Sequence, residues 1–350
     1  MKKTLIALAT LAASTGSFAQ SSVTLYGIVD ASYGQITSTT SAGVKSTVKG
    51  ISSQQSVSRI GFRGEEDLGG GLKANFTLEY YIEPDNGSGI GAGGIASSSR
   101  QAFGGISGGF GAVNMGNQTT LIAAVNGTSD FHGGVNTVGY SIGNNQNSRR
   151  ANMFQYTTPN LSGLTATVQM GYVGTASADT GNSSAVRVAY AAGPLTFAAA
   201  TETTKLTKLS VGNFGATQSA DWTIRTATDL SDALSDRKRN AIGATYDLGV
   251  AKVGFTHSDA KAGSTAEPGK FAVNSFGVSV PMGAITLNAT VDNGKMTDSG
   301  ATSVDLSAYQ LSAFYALSKR TNLYTIIGEQ KNKATSAKDN QYAIGLRHQF

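Results

Sequence analysis

The sequence predicts an all-β fold: one sixteen-stranded antiparallel barrel that spans a membrane, with short turns on one side and long loops on the other. Three observations predict it. Apolar and polar residues alternate with period two in about sixteen segments, the pattern of strands with one apolar and one polar face. The connections between those segments alternate between tight turns and long polar stretches. The 350 residues are poor in charge (14%) without being rich in apolar side chains (40%), and 44 Gly contrast with 5 Pro. A soluble domain carries roughly 25% charged residues.

The same composition excludes other classes. A helical membrane protein needs runs of about 20 apolar residues, and none occurs. A formal charge of +5 without a dense basic block argues against nucleic-acid binding. The absence of Cys removes disulfides and thiolate metal sites. His132, His257 and His348 are too far apart for metal-ligand spacing. The glycine-rich stretch 104–111 lacks the Lys-Ser/Thr of a phosphate loop. No catalytic constellation, metal site or cofactor is expected.

The elements follow in order. Lys2 and Lys3 precede an apolar stretch from Leu5 to Ala13, and Ser17-Phe18-Ala19 is a small-x-small cleavage site. Residues 1–19 therefore read as a secretory signal peptide cut near Ala19, which leaves 20–350 for the barrel. The first strand, 22–36, places Val23, Leu25, Val29, Ala31 and Tyr33 on one face. Strands 56–66 and 72–82 flank the turn 67–71, and 99–107 and 111–118 flank the glycines at 108–111. Strands 149–158 and 163–173 flank 159–163, and 184–192 and 194–203 flank Gly193-Pro194. Strands 238–248 and 250–258 meet at Gly249, 271–281 and 284–293 at 281–283, and 307–317 and 321–331 at 318–320. The last strand is 340–350. Long connections are expected at 37–55, 83–98, 119–148, 174–183, 204–237, 259–270, 294–306 and 332–339.

This asymmetry of connections is that of an outer-membrane barrel. An even strand count puts both termini on the short-turn, periplasmic side. Eight strands leave an interior filled by side chains, whereas sixteen leave an aqueous channel. The loop 119–148, after the fifth strand, is long enough to fold into that channel and narrow it. A β-solenoid adhesin is the alternative for an exported chain rich in Gly, Ser, Thr and Asn. It requires a fixed internal repeat, and none is found.

Four stretches carry a family resemblance. Ser22-Val-Thr-Leu-Tyr-Gly-Ile-Val-Asp30 resembles the opening strand of the general porins of beta-proteobacteria, the group that includes neisserial and Burkholderia/Comamonas porins. So do Ser58-Arg-Ile-Gly-Phe-Arg-Gly-Glu-Glu-Asp-Leu-Gly-Gly-Gly-Leu-Lys-Ala74, Arg150-Ala-Asn-Met-Phe-Gln-Tyr-Thr-Thr-Pro-Asn160 and the ending Ile344-Gly-Leu-Arg-His-Gln-Phe350. The resemblance spans the chain. It implies a sixteen-stranded barrel in a Gram-negative outer membrane, usually a homotrimer, with its third extracellular loop folded inward. It implies passive diffusion of ions and small hydrophilic solutes, with a preference for anions in many members. A substrate-specific channel of the same fold is the runner-up. Outer-membrane lipid, lipopolysaccharide, periplasmic chaperones and the barrel-assembly machinery are the partners implied.

The resemblance also implies site residues. Arg59, Arg100 and Arg150 match arginines that line the pore waist, where fixed guanidinium groups attract anions. Arg63, Lys73 and Arg149 are candidates for the lumen wall. Asp130 lies where the family's inward loop carries an acid; it either completes a transverse field or hydrogen-bonds the loop to itself. Where relatives often have Gly-Arg-Gln, this chain has Gly116-Asn117-Gln118, which removes one waist arginine. Phe350, the terminal aromatic, resembles the signal read during outer-membrane assembly, and is equally placed to join an interfacial aromatic girdle.

Overall fold

The computed structural model describes residues 22–87, 99–133, 149–172, 182–205, 237–263, 268–298 and 301–350. Residues 1–19, expected above to be a signal peptide, and much of the expected loops 83–98, 119–148, 174–183 and 204–237 lie outside the described residues.

Among the described residues, seventeen strands form one antiparallel sheet that closes on itself. They are β1 (Ser22–Thr39), β2 (Lys45–Ser52), β3 (Arg59–Gly69), β4 (Leu72–Tyr81), β5 (Ser99–Gly108), β6 (Gly111–Thr119), β7 (Arg149–Thr157), β8 (Leu164–Gly171), β9 (Ser183–Ala192) and β10 (Leu195–Thr204). They continue as β11 (Arg237–Asp247), β12 (Lys252–Gly263), β13 (Pro268–Met282), β14 (Ile285–Asp298), β15 (Ala301–Ala316), β16 (Thr321–Asn332) and β17 (Lys338–Gln349). β2 and β3 both pair with β1, at Thr39–Ser32 and at Ile28–Ser22 respectively, so they share one stave. The barrel therefore has sixteen staves, each bonded to its sequence neighbours. β1 pairs with β17 from Ile28↔Gln349 to Thr39↔Lys338 and closes the ring. Gly27 and Phe350 exchange two backbone hydrogen bonds of 3.1 Å at the seam.

The molecule is inside-out, as alternation around a wet lumen requires. Leu164, Val168 and Met170 are exposed on the outer face of β8, while Thr167 and Gln169 between them are buried toward the lumen. The same division holds on β14, where Leu287 and Val291 are exposed and Thr290 and Asp292 are buried.

The structure departs from the sequence reading at the long-loop rim. Most of 37–55, 259–270, 294–306 and 332–339 is strand or tight turn rather than loop. There the staves rise above the apolar band: Lys45–Ser52 is exposed on both faces, while Ala260, Leu306, Asn332 and Ala337 keep an inner face buried against polar or small outer neighbours. Cross-strand hydrogen bonds persist, but the alternation that marks a strand in sequence vanishes.

Candidate functional site

The lumen is crossed by the segment that follows β6. Thr120 caps a short helix, α1 (Leu121–Asn126), with its side-chain oxygen accepting from Ala123 N. Leu121, Ile122 and Val125 are buried against Ala185 and Ala189 of β9, Ala198 and Ala200 of β10, and Ala241 of β11. These alanines make a shallow apolar patch on an otherwise polar inner wall. A larger side chain there would leave no room for a helix inside the barrel. Burying each of the three helix residues contributes about 1.5–3 kcal/mol, enough to hold so short a helix.

Beyond α1 the segment runs along the wall. Asn126 accepts a 2.6 Å bond from Ser258 Oγ of β12. Phe131 lies against the backbone of Gly277 on β13, where any Cβ would collide with its ring. His132 Nε2 reaches Asp292 of β14 at 2.9 Å, and its carbonyl accepts from Gln310 and Ser312 of β15. Asp130 accepts from His132 N at 3.0 Å and contacts its Nδ1 at 2.8 Å, so its described bonds tie the loop to itself. Burial alone would lower the pKa of His132. Asp292 and Asp130 outweigh it and push it up to about 10, so the imidazole is a cation between two carboxylates.

A basic cluster lines the staves β3 to β7. Glu79 of β4 contacts Arg59 Nε at 3.5 Å and Arg100 Nε at 2.5 Å. Arg100 also stacks over Tyr81, 4.9 Å from its ring centre, and Arg149 donates to the Tyr81 hydroxyl at 3.3 Å. Two bulges aim these groups inward. The β4–β5 register shifts at Glu79/Tyr80, opposite Arg100, and the β6–β7 register shifts at Gly116/Gln118, opposite Arg150. Asn117, at the position of the missing arginine, donates to the Arg100 carbonyl instead.

The other candidates separate. Arg150 reaches Thr204 of β10 at 3.4 Å, next to the buried pair of Glu202 and Arg239. Arg63 stacks on Tyr26 at 5.4 Å, and Tyr26 donates to Glu79. Lys73 pairs with Glu65 at 2.6 Å in an exposed position at the short-turn rim.

Sequence reasoning missed several groups here. Residues 53–58 tuck inward as a second insertion. Buried Asp30 holds them, through Ser56 N, Ser58 Oγ and its own carbonyl to Ser53. Arg347 of β17 donates to Ser56 Oγ at 3.1 Å and so joins this side of the lumen. Glu79 and Arg347 fall on the polar parity of their strands, which is a signal for lumen positions. Nothing local in sequence pairs His132 with Asp292.

Comparisons with known proteins fit this geometry. A family model described as Gram-negative porin matches residues 4–335. Outer membrane porin protein 32 of Delftia acidovorans is 32% identical over the full length of both chains. An outer membrane porin of Bordetella pertussis is 30% identical, again over the full length of both. The anion-selective porin from Comamonas acidovorans superposes with a TM-score of 0.70 at 25% identity, covering 95% of this chain and 100% of that one.

Proposed function

This chain belongs to the Gram-negative porin family, and from that premise we propose that its channel prefers anions and that the Arg59–Arg100–Arg149 cluster sets the preference. The protein is an outer-membrane diffusion channel for ions and small hydrophilic solutes. The observation that carries the anion reading is the charge count at the waist: three arginines converge on the neighbourhood of one carboxylate, Glu79. Arg150 adds positive charge on the far side, beside Thr204. Arg63 contributes to the wall below them, and Lys73 is largely neutralised by Glu65. Asp130, occupied by His132, does little to oppose the field.

The name of the Comamonas relative, an anion-selective porin, supports the same sign. Two unit charges about 4 Å apart interact by about 1 kcal/mol in bulk water and about 4 kcal/mol at an effective dielectric of about 20. A wet constriction lies between, so each arginine is worth a few-fold in permeability ratio. The test is the reversal potential in a KCl gradient for wild type and for Arg59→Ser, Arg100→Ser, Arg149→Ser and Arg150→Ser. The anion preference falls in each variant and falls as salt rises, because the Debye length shrinks from about 10 Å at 0.1 M to about 3 Å at 1 M. A cation-selective wild type sinks the reading.

Residues 1–19 serve as the export signal, and the assembly is a homotrimer, which cross-linking of the detergent-extracted protein tests.

A further inference from the structure

Asp30 of β1 is a fully buried carboxylate that the channel function described above does not use. It sits where the sheet is interrupted. β1 pairs with β3 as far as Ile28↔Arg59 and with β2 from Ser32↔Ser52, so residues 29–31 of β1 face residues 53–58 of the neighbouring stave. Six residues opposite three cannot stay in register, and the excess leaves the sheet toward the lumen. Buried backbone groups need partners. The Asp30 N–H donates to Ser58 Oγ at 2.9 Å, and the Asp30 carbonyl accepts from Ser53 Oγ at 2.9 Å and from Ser58 Oγ at 3.1 Å. The side chain holds the crest of the insertion: Oδ2 accepts from Ser56 N, and Oδ1 accepts from the Tyr324 hydroxyl at 2.6 Å.

Tyr324 belongs to β16 and reaches Asp30 across the whole of β17. Its ring lies over Gly345, its partner on β17, where a Cβ would collide with it. The same hydroxyl accepts from Gln55 N at 3.3 Å, and Gln341 of β17 donates to the Gln54 side chain. The insertion is thus clasped from β1, β16 and β17, and it carries an arginine on each flank. Arg347 Nε donates to Ser56 Oγ at 3.1 Å. Arg59, the residue that follows the insertion, turns its Nη1 to the Val57 carbonyl at 3.5 Å while its Nε reaches Glu79.

The insertion also meets the inward segment that follows β6. A Cβ on Gly133 would collide with the ring of Phe314 on β15, and that ring's centre lies 6.4 Å from the centre of Tyr324. Among the described residues, the two inward segments therefore run along β9 to β17 and β1. The wall left to a passing solute is that of β3 to β8, with Arg59, Arg100 and Arg149.

We propose that Asp30 is a positioning residue for anion passage: it holds 53–58 as a second lip of the constriction, and that lip sets Arg59 and Arg347 toward the solute path. This rests on the anion reading above. The lip itself, Ser53-Gln-Gln-Ser-Val-Ser58, is uncharged, so its effect on selectivity is one of placement. It takes up room in the lumen and keeps a hydrated ion within reach of the guanidinium groups, where fixed charge selects.

The charge of Asp30 and its hold on the lip act with opposite signs, which makes them separable. Removing a carboxylate from the lumen raises the chloride-to-potassium permeability ratio by charge alone, whereas releasing the lip lowers it. Doubling the distance between a guanidinium and a passing anion halves their interaction, which is worth about two-fold in the ratio. Reversal potentials in a KCl gradient at low salt are measured for the full-length Asp30→Asn and Tyr324→Phe variants, with the heat-resistant electrophoretic band as the check on a folded barrel. The ratio is expected to fall by about two-fold or more in both. A ratio unchanged or raised in either folded variant overturns the proposal. Tyr324→Phe removes one hydrogen bond and no charge, so it decides alone where Asp30→Asn gives no folded barrel. Arg347→Ser supplies the readout that a purely structural role would not move. It is expected to lower the ratio by about two-fold in wild type and by less in the Tyr324→Phe background, because the two residues act through one lip. Equal effects in the two backgrounds overturn the proposal as well. A cation-selective wild type counts against the anion reading alone, since the role of Asp30 is read from the change between variant and wild type.

Discussion

His132 Nε2 lies 2.9 Å from a carboxylate oxygen of Asp292, across 160 residues of sequence. Through this contact the inward segment is fastened to β14, three staves along the wall from the alanine patch on β9–β11. The segment is thus held at two places by different physics: apolar burial at α1 and a charge-assisted bond at His132.

Replacing His132 by Asn leaves Asp292 buried without its cation. Breaking one side of a buried pair costs on the order of 3–5 kcal/mol. The released segment widens and destabilises the passage, so single-channel conductance rises and becomes noisier. Wild-type current traces from H132N would count against the latch.

The same latch predicts an alkaline limit. The pKa of His132 is raised in the folded protein to about 10, from about 6.5 unfolded. Its contribution is complete below pH 6.5, declines as pH rises above that and is lost on passing through about 10. Protease cleavage within 120–133 should accelerate across that window. In H132N the rate should be high and show no such rise between pH 7 and pH 10.

At the other fastening, Ala198 is fully buried beneath α1. Ala198→Leu adds side-chain volume where the helix now rests, and overpacking of this kind costs about 1–3 kcal/mol. The expected result is a displaced helix in an intact barrel: altered conductance with an unchanged heat-resistant band on electrophoresis. Loss of the barrel band instead would show that the patch supports the wall rather than the loop.

Glu79→Gln tests the electrostatics of the waist with the opposite sign to the arginine variants. It removes the carboxylate shared by Arg59 and Arg100, so the chloride-to-potassium permeability ratio rises by a few fold. Stability falls as well, because two partly buried guanidinium groups lose their counter-ion. An unchanged ratio would place the selectivity elsewhere, with Arg63, Arg150, Arg187, Arg239 and Arg347 as further lumen arginines among the described residues.

Deleting Phe350 removes both hydrogen bonds to Gly27 and the ring that packs where a Cβ on Gly27 would sit. If the terminal aromatic also serves as an assembly signal, insertion in cells falls more steeply than refolding of purified protein into detergent. Parallel losses in the two assays would assign the residue to seam closure alone.

The sequence by itself determined the barrel, its strand number and its inside-out arrangement. Each follows from a local rule: side chains two apart share a face, so Leu164, Val168 and Met170 declare an apolar face wherever the strand lies. Arg59 and Arg100 were singled out by the family resemblance of short motifs and not by the alternation; their shared contact with Glu79 is a fact of the folded sheet. Strand ends above the apolar band were hidden, because residues such as Lys45–Ser52 meet water on both faces and lose the alternation. Only the tertiary structure decided the interior. Closing the sheet brings Asp292 to His132 and Ala198 to Val125, and it sends Arg149 rather than Arg150 to the Tyr81 beside Arg100. These are relations between strands whose spacing along the chain is arbitrary, and hydrogen-bonded pairing around a closed ring is what sets them.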